Sequence, residues 1–463
     1  MTQTLDASIR AFRSRFGGVV VTPGEENYDK ARSIWNGSID RRPSLVARCF
    51  TPADVADAVR FAQEQSLDIS VRGGGHGFSG ASVRSSAVMI DLSQQNLITV
   101  DPEARRARCG GGATWAQVDA ATQEHGLAAP GGTVSHTGIG GLTLGGGFGW
   151  LTQMAGLSCD NVVSAEIVTA DGAILHVSED EHPDLFWAIR GGGGNFGAVT
   201  SFEYRLHEVG PIVHIGLLFW GKSKGAEALR LLDEVTATLP ANMGALCACL
   251  NAPPAPFVPE QYHLVPGVAL ILAGFGPAEE HAALLDQTKA ALPTLFTFTS
   301  RIPFTALQQL LDDAAPWGIQ AYEKAHFLGG LSPNIIAVIT DQMPRKTSPM
   351  SFVPMFALGG AYQDTPHDAS AFGGDRSAQL LFNMTAMSPN AEGLAADRKW
   401  VRDFWTRLTP YAGTRTYVNF IPEYEEDVVR AAYGDKYDRL ARVKAQYDPD
   451  NVFRAAANIK PAR

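Results

Sequence analysis

Leu67-Asp68-Ile69-Ser70-Val71-Arg72-Gly73-Gly74-Gly75-His76-Gly77 decides the fold. An apolar run of strand character ends in an arginine and three glycines, and one imidazole stands at the apex of the loop. Glycine takes positive φ at no steric cost and lets backbone N–H groups close on an anion. The stretch therefore predicts a strand leading into a pyrophosphate cradle that also holds a reactive nitrogen, with Arg72 adding positive charge.

A single glycine cluster also marks ordinary turns, and a loop histidine is commonly solvated or hydrogen-bonded. Three further clusters change the weighting. They are Gly110-Gly111-Gly112, the long stretch from Gly131 to Gly149 (GGTVSHTGIGGLTLGGGFG), and Gly191-Gly192-Gly193-Gly194-Asn195-Phe196-Gly197. All of them precede residue 200.

The 463 residues suffice for two or three domains with full cores, and 45% apolar with 19% charged residues is an ordinary globular composition. The net charge of −10 comes without basic runs or basic-aromatic stripes, which argues against nucleic acid and anionic membrane surfaces and for a small-molecule partner. The first residues show no basic-then-apolar leader, and no stretch reaches the ~18 apolar residues of a membrane span, so a cytoplasmic protein is expected. The cysteines, Cys49, Cys109, Cys159, Cys247 and Cys249, lack metal-like pairing and read as buried thiols; no metal is expected.

Along the chain, Thr51-Pro52 opens a helix to Gln65, residues 87–92 form a buried strand, and Thr114 with Gln117 is a capping box. Strands over 164–170 and 173–177 flank Asp171-Gly172, a dipeptide suited to a type I′ turn. A short helix covers 183–189 and a strand 199–206. From about residue 207 the composition shifts to proline-broken apolar segments. Strands are predicted over 215–220, 268–275, 335–340 and 380–384, with helices over 225–239 and 279–291. Near the C-terminus Tyr417 and Asn419 are read on one side of a strand, followed by a helix over 437–447.

Taken together, residues 42–49, 72–77, 138–149, 156–161, 185–192, 195–200 and 417–420 resemble the FAD-linked oxidoreductases of the vanillyl-alcohol oxidase class, berberine-bridge-enzyme-like group. The resemblance implies an α+β fold. A two-part PCMH-type FAD-binding domain is built by residues 1–206 and 408–463, and an inserted α+β domain, residues 207–407, covers the flavin with an antiparallel sheet. It implies cofactor contacts from Arg72, Gly73, Gly74, Gly75, Gly77, Gly132, Thr133, Gly138, Gly141, Leu142, Gly145, Gly146, Asn195, Gly197, Val199, Tyr417 and Asn419.

By the same resemblance His76 is the residue bonded to the flavin 8α-methyl. Where many relatives add a cysteinyl bond this chain has Val134, so one link is expected, and Leu142 stands where several relatives carry a histidine. Tyr417 matches the active-site tyrosine. It acts as the base if its phenolate is favoured, and otherwise packs on the flavin and hydrogen-bonds substrate. Roof strands would aim Gln379 and Asn383 at the ligand, with no carboxylate, which suits an apolar or aromatic substrate. His136 either lines the pocket or is a structural histidine.

The implied function is oxidation of a small organic alcohol or amine by covalently held FAD, with molecular oxygen accepting the electrons and hydrogen peroxide released. The alternatives are a dehydrogenase with another acceptor and a flavoprotein that only binds a metabolite. A homodimer is one assembly the sequence leaves open.

Overall fold

The computed structural model describes residues 2–421 and 426–463, and these residues form an α+β fold organised around four sheets. The first contains β1 (Val19–Val21), β2 (Leu45–Arg48), β3 (Ile69–Arg72) and β4 (Val88–Asp91) in the order β1-β2-β4-β3, with β2, β4 and β3 parallel. Its strands are apolar on both faces because the helix Pro52–Glu64 covers one of them. That helix starts where Thr51 and Asp54 cap each other's backbone N–H groups.

A second, antiparallel sheet contains β5 (Ile98–Asp101), β6 (Arg106–Gly110), β8 (Val162–Val168), β9 (Ile174–Ser178) and β10 (Ala198–Arg205), in the order β5-β6-β10-β8-β9. The short strands β7 (Leu127–Ala128) and β11 (His207–Glu208) pair with each other. The core of this region joins Trp115, Phe186, Phe202 and Tyr204 to Tyr433, Tyr437 and Leu440 from the far end of the chain. Lys444 and Asp448 are fully buried there as an ion pair, and the Lys444 ammonium also donates to the carbonyls of Asn195 and Phe453. A buried charge is tolerated only when paired and hydrogen-bonded in this way.

The third region is one antiparallel sheet of seven strands: β12 (Ile212–Gly221), β13 (Met243–Asn251), β14 (Pro266–Gly274), β15 (Phe296–Pro303), β16 (Gln320–Leu328), β17 (Val353–Ala357) and β18 (Leu380–Ser388). The order is β15-β12-β14-β13-β17-β18-β16. Helices Gly225–Ala237, Pro333–Gln342 and Ala391–Leu408 pack on one face against Leu218, Cys247, Leu270 and Phe382. Alternate residues, among them Leu217, Ala248 and Ala269, point the other way into a cavity. Both faces being covered, the strands read as continuous apolar runs.

Two local expectations are corrected. Residues 335–340 are helical within Pro333–Gln342, because Ser332 caps Ile335 N–H and Pro333 occupies the first turn, and this start signal outweighs the β-branched run. At Asp171-Gly172 only Gly172 has positive φ (+77°), so the turn is not type I′; the Asp171 carboxylate instead accepts from Ala173 N–H and the Thr169 hydroxyl across a longer loop.

Candidate functional site

A cavity of about 990 Å³ lies between the glycine loops and the seven-stranded sheet. Its loop side includes Gly73, Gly74, Gly75, Gly77, Gly132, Thr133, Gly138, Gly141, Leu142, Gly197 and Val199. The loop after β3 and the loop before Ile139 touch backbone to backbone, since a Cβ on Gly74 would stand 2.2 Å from the Gly138 nitrogen. At Gly77, Gly141 and Gly194, by contrast, an added Cβ would meet no atom of the described residues within 4 Å, because these bare backbone faces border the cavity. Such a cradle, which side chains would fill, fits a phosphate-bearing, flat cofactor such as FAD.

His76 lines this cavity between aromatic rings. Trp35 stacks on it at 5.1 Å between centroids and Trp317 meets it edge-on at 5.8 Å. Its Nε2 lies 2.6 Å from Nδ1 of His136, so His136 reaches the site through His76 and does not itself line the wall. Burial, with His136 as a lesser cause, pushes the His76 pKa down to about 3. The ring is therefore a neutral imidazole with Nδ1 left for a ligand. Val134 faces the cavity, whereas Cys159 is buried beside Asp160 with its thiol raised well above the ordinary range by desolvation.

Tyr417 and Asn419 come together, but not on a strand: Val418–Phe420 is a 3₁₀ turn. The turn lets Asn419 Nδ2 donate to the Tyr417 hydroxyl at 2.8 Å and to the Leu142 carbonyl at 3.2 Å. Gly147 N–H donates to the same phenol oxygen at 2.9 Å. Burial nevertheless raises the Tyr417 pKa above its ordinary value despite these two donors, which leaves a neutral phenol whose own O–H can be donated.

Above the slot, β16 and β18 place Glu323 opposite Thr385 and Ala325 opposite Asn383. Glu323, Asn383 and Thr385 all line the cavity, at 1%, 3% and 3% exposure. Asn383 Nδ2 donates to Glu323 Oε2 at 2.8 Å, while Glu323 Oε1, Asn383 Oδ1 and Thr385 Oγ1 have no partner among the described residues. Desolvation raises the Glu323 carboxyl well above the usual carboxylate range. A carboxyl group in the roof corrects the expectation that none would be present. Its one signal in the sequence is a lone acid within the strand-like run Ala321-Tyr322-Glu323-Lys324-Ala325.

Several expected site residues point elsewhere. Gln379 donates to Asp233 and Thr236 on the helix-covered side. Arg72 is tied to Asp91 and to the Ser33 carbonyl, so its charge is spent on the parallel sheet and not on a phosphate. Asn195 donates to the Gly192 and Ala457 carbonyls and accepts from Ile459 N–H, making it a clamp behind the loop. A Cβ on Gly145 would strike Asn419, and one on Gly146 would strike Phe372, so both glycines make room for the Tyr417 turn.

Comparisons with known proteins agree with this architecture. Residues 43–178 match the family described as FAD binding domain, and residues 416–460 match that described as berberine and berberine like. The (R)-6-hydroxynicotine oxidase of Paenarthrobacter nicotinovorans is 30% identical, over 96% of this chain and 97% of that protein. The crystal structure of 6-hydroxy-D-nicotine oxidase from Arthrobacter nicotinovorans superposes with a TM-score of 0.85 at 27% identity, covering 96% of this chain and 98% of that one. A glucooligosaccharide oxidase from Acremonium strictum, with 6-S-cysteinyl, 8α-N1-histidyl FAD, shares the fold at a TM-score of 0.87 and 22% identity, over 98% and 99% of the two chains.

Proposed function

Because the chain belongs to the berberine-bridge-enzyme-like family of FAD-linked oxidoreductases, we propose that it is an oxidase of a small organic alcohol or amine. In this reading residues 1–206 and 408–463 hold the cofactor and residues 207–407 hold the substrate. The flavin is bound once, through His76 to its 8α-methyl. A neutral imidazole beside Val134, where a second link would need sulfur, supports that reading, as does the histidyl link in the glucooligosaccharide oxidase.

The observation that carries the proposal is the placement of Glu323 between the two ends of the slot. Trp35, stacked on His76, packs on Ala321 and Met387, whereas Thr416, next to Tyr417, donates to the Ala325 carbonyl. Glu323 falls midway along β16 between these anchor points. FAD held in the glycine cradle would supply the hydride acceptor for the carbon bearing the heteroatom. Tyr417 donates a hydrogen bond to that heteroatom, and Glu323, once ionised, takes its proton at Oε1, the oxygen without a partner among the described residues.

Molecular oxygen is the proposed electron acceptor, giving hydrogen peroxide. Anaerobic mixing with an alcohol and amine panel should bleach the flavin, and admission of air should restore its colour within seconds. A flavin that bleaches but recovers only with a quinone would make the protein a dehydrogenase. A flavin that never bleaches would reduce it to a binding protein.

A further inference from the structure

Resting on the reading of the site as one that oxidises a small organic molecule, we propose that the substrate carries an extended apolar or aromatic body, which lies under β12–β15. The anchors for the cofactor end of the slot, through Trp35 and Thr416, contact β16 and β18. The cavity does not stop there. It continues past Phe356 on β17 to Ala248 on β13, Ala269 on β14, Leu217 on β12 and Phe298 on β15. From β18 to β15 is five strand spacings, roughly 24 Å at ~4.8 Å each.

The chemistry of this lobe changes sharply from that of the roof trio. Ala248 and Ala269 are direct partners across β13 and β14, so two methyl groups stand where larger side chains would close the passage. Beyond them Phe219 stacks on Phe296 at 5.0 Å, and Phe257 meets Phe298 at 5.5 Å. The proline-rich segment Pro253–Phe257 borders the same end. Asn251, the polar side chain nearest this segment in sequence, is engaged with the Leu264 carbonyl and Lys346. Apart from Asn251 and the exposed Asp313 beyond Leu311, the wall of this lobe is apolar, so a sugar chain would lose its hydration there for few replacement partners, whereas an alkyl or aryl body gains by leaving water.

The test is calorimetric titration of the FAD-loaded protein with benzyl alcohol, 4-butylbenzyl alcohol and 4-octylbenzyl alcohol, alongside anaerobic reduction by the same compounds. Affinity should rise about fourfold per added methylene over the first four carbons. In Ala248→Phe, or in Ala269→Leu if the first variant misfolds, the ratio of butyl to unsubstituted affinity should collapse to within twofold. Affinity that is flat along the series, an unchanged ratio in the folded variants, or no binding by any member overturns the proposal. Tail-dependent binding without bleaching of the flavin by any member supports the lobe and overturns the oxidation reading. Bleaching by benzyl alcohol without a tail effect overturns the lobe alone.

Discussion

The Nε2 atom of His76 lies 2.6 Å from Nδ1 of His136, with ring centroids 4.6 Å apart. Two imidazoles at that distance share one proton, and burial keeps His76 uncharged. The flavin should therefore be attached through the other nitrogen of His76, and attached once. Acid-denatured protein is expected to retain its yellow colour, and a single histidyl-flavin peptide should appear on digestion. His76→Ala should release all flavin on acid precipitation while still binding FAD in native buffer, because the glycine loops are unchanged. His136→Ala should lower the covalently attached fraction, which denaturing gel fluorescence measures.

Removal of the Tyr417 oxygen strips the acceptor from Gly147 N–H and Asn419 while leaving the ring packed on Phe148. Tyr417→Phe should keep the flavin and slow its anaerobic reduction by on the order of 10²-fold. Glu323→Gln should slow it at least as much and flatten the dependence of the reduction rate on pH. Equal rates in wild type and Glu323→Gln would move the proton acceptor elsewhere.

The glycine loops offer a contrast between two equally small substitutions. Gly74→Ala forces a methyl group onto the Gly138 backbone and should abolish folding or soluble expression. Gly77→Ala meets no atom of the described residues within 4 Å and Gly77 has no positive φ, so the protein should fold at near wild-type stability yet bind FAD more weakly, because the methyl group enters the cavity. Thermal melts with and without added FAD separate the two effects.

Asp119 is buried, accepts from Gln308 Nε2 and leaves its Oδ1 without a partner among the described residues, and burial pushes its pKa from 3.8 up to about 7. Over that interval the folded state holds a proton that the unfolded chain has released. Its contribution is therefore intact below about pH 4 and is lost as pH rises toward 7. Asp119→Asn keeps an acceptor for Gln308 and should stabilise the protein by on the order of 1–3 kcal/mol at pH 7.5, with little change at pH 4, as read by urea denaturation.

The cradle was legible because only glycine permits the contact of Gly74 with Gly138 and the open faces at Gly77 and Gly141, so the physical demand is written directly in residue type. Gln379 and Asn383 lie on one strand run in sequence, yet the first turns to Asp233 and the second to Glu323, a choice made by long-range neighbours that no local pattern encodes. Glu323 was hidden for a related reason. A lone acid beside Lys324 resembles a solvated edge, and only the pairing of β16 with β18 brings it over the cavity. Tyr417 and Asn419 do share a face, but through a 3₁₀ turn, where i and i+2 can meet only because the hydroxyl and amide are held together by a hydrogen bond.

The Lys444 ammonium bonds the Asn195 carbonyl, and the Asn195 side chain in turn holds Ala457 and Ile459. These contacts span some 250 positions of sequence. The glycine loop at 191–197 thus lacks its clamp until the ribosome has made the segment beyond Lys444. Flavin capture is therefore expected to follow completion of the chain, and cells starved of riboflavin should accumulate a full-length chain that can still be loaded afterwards.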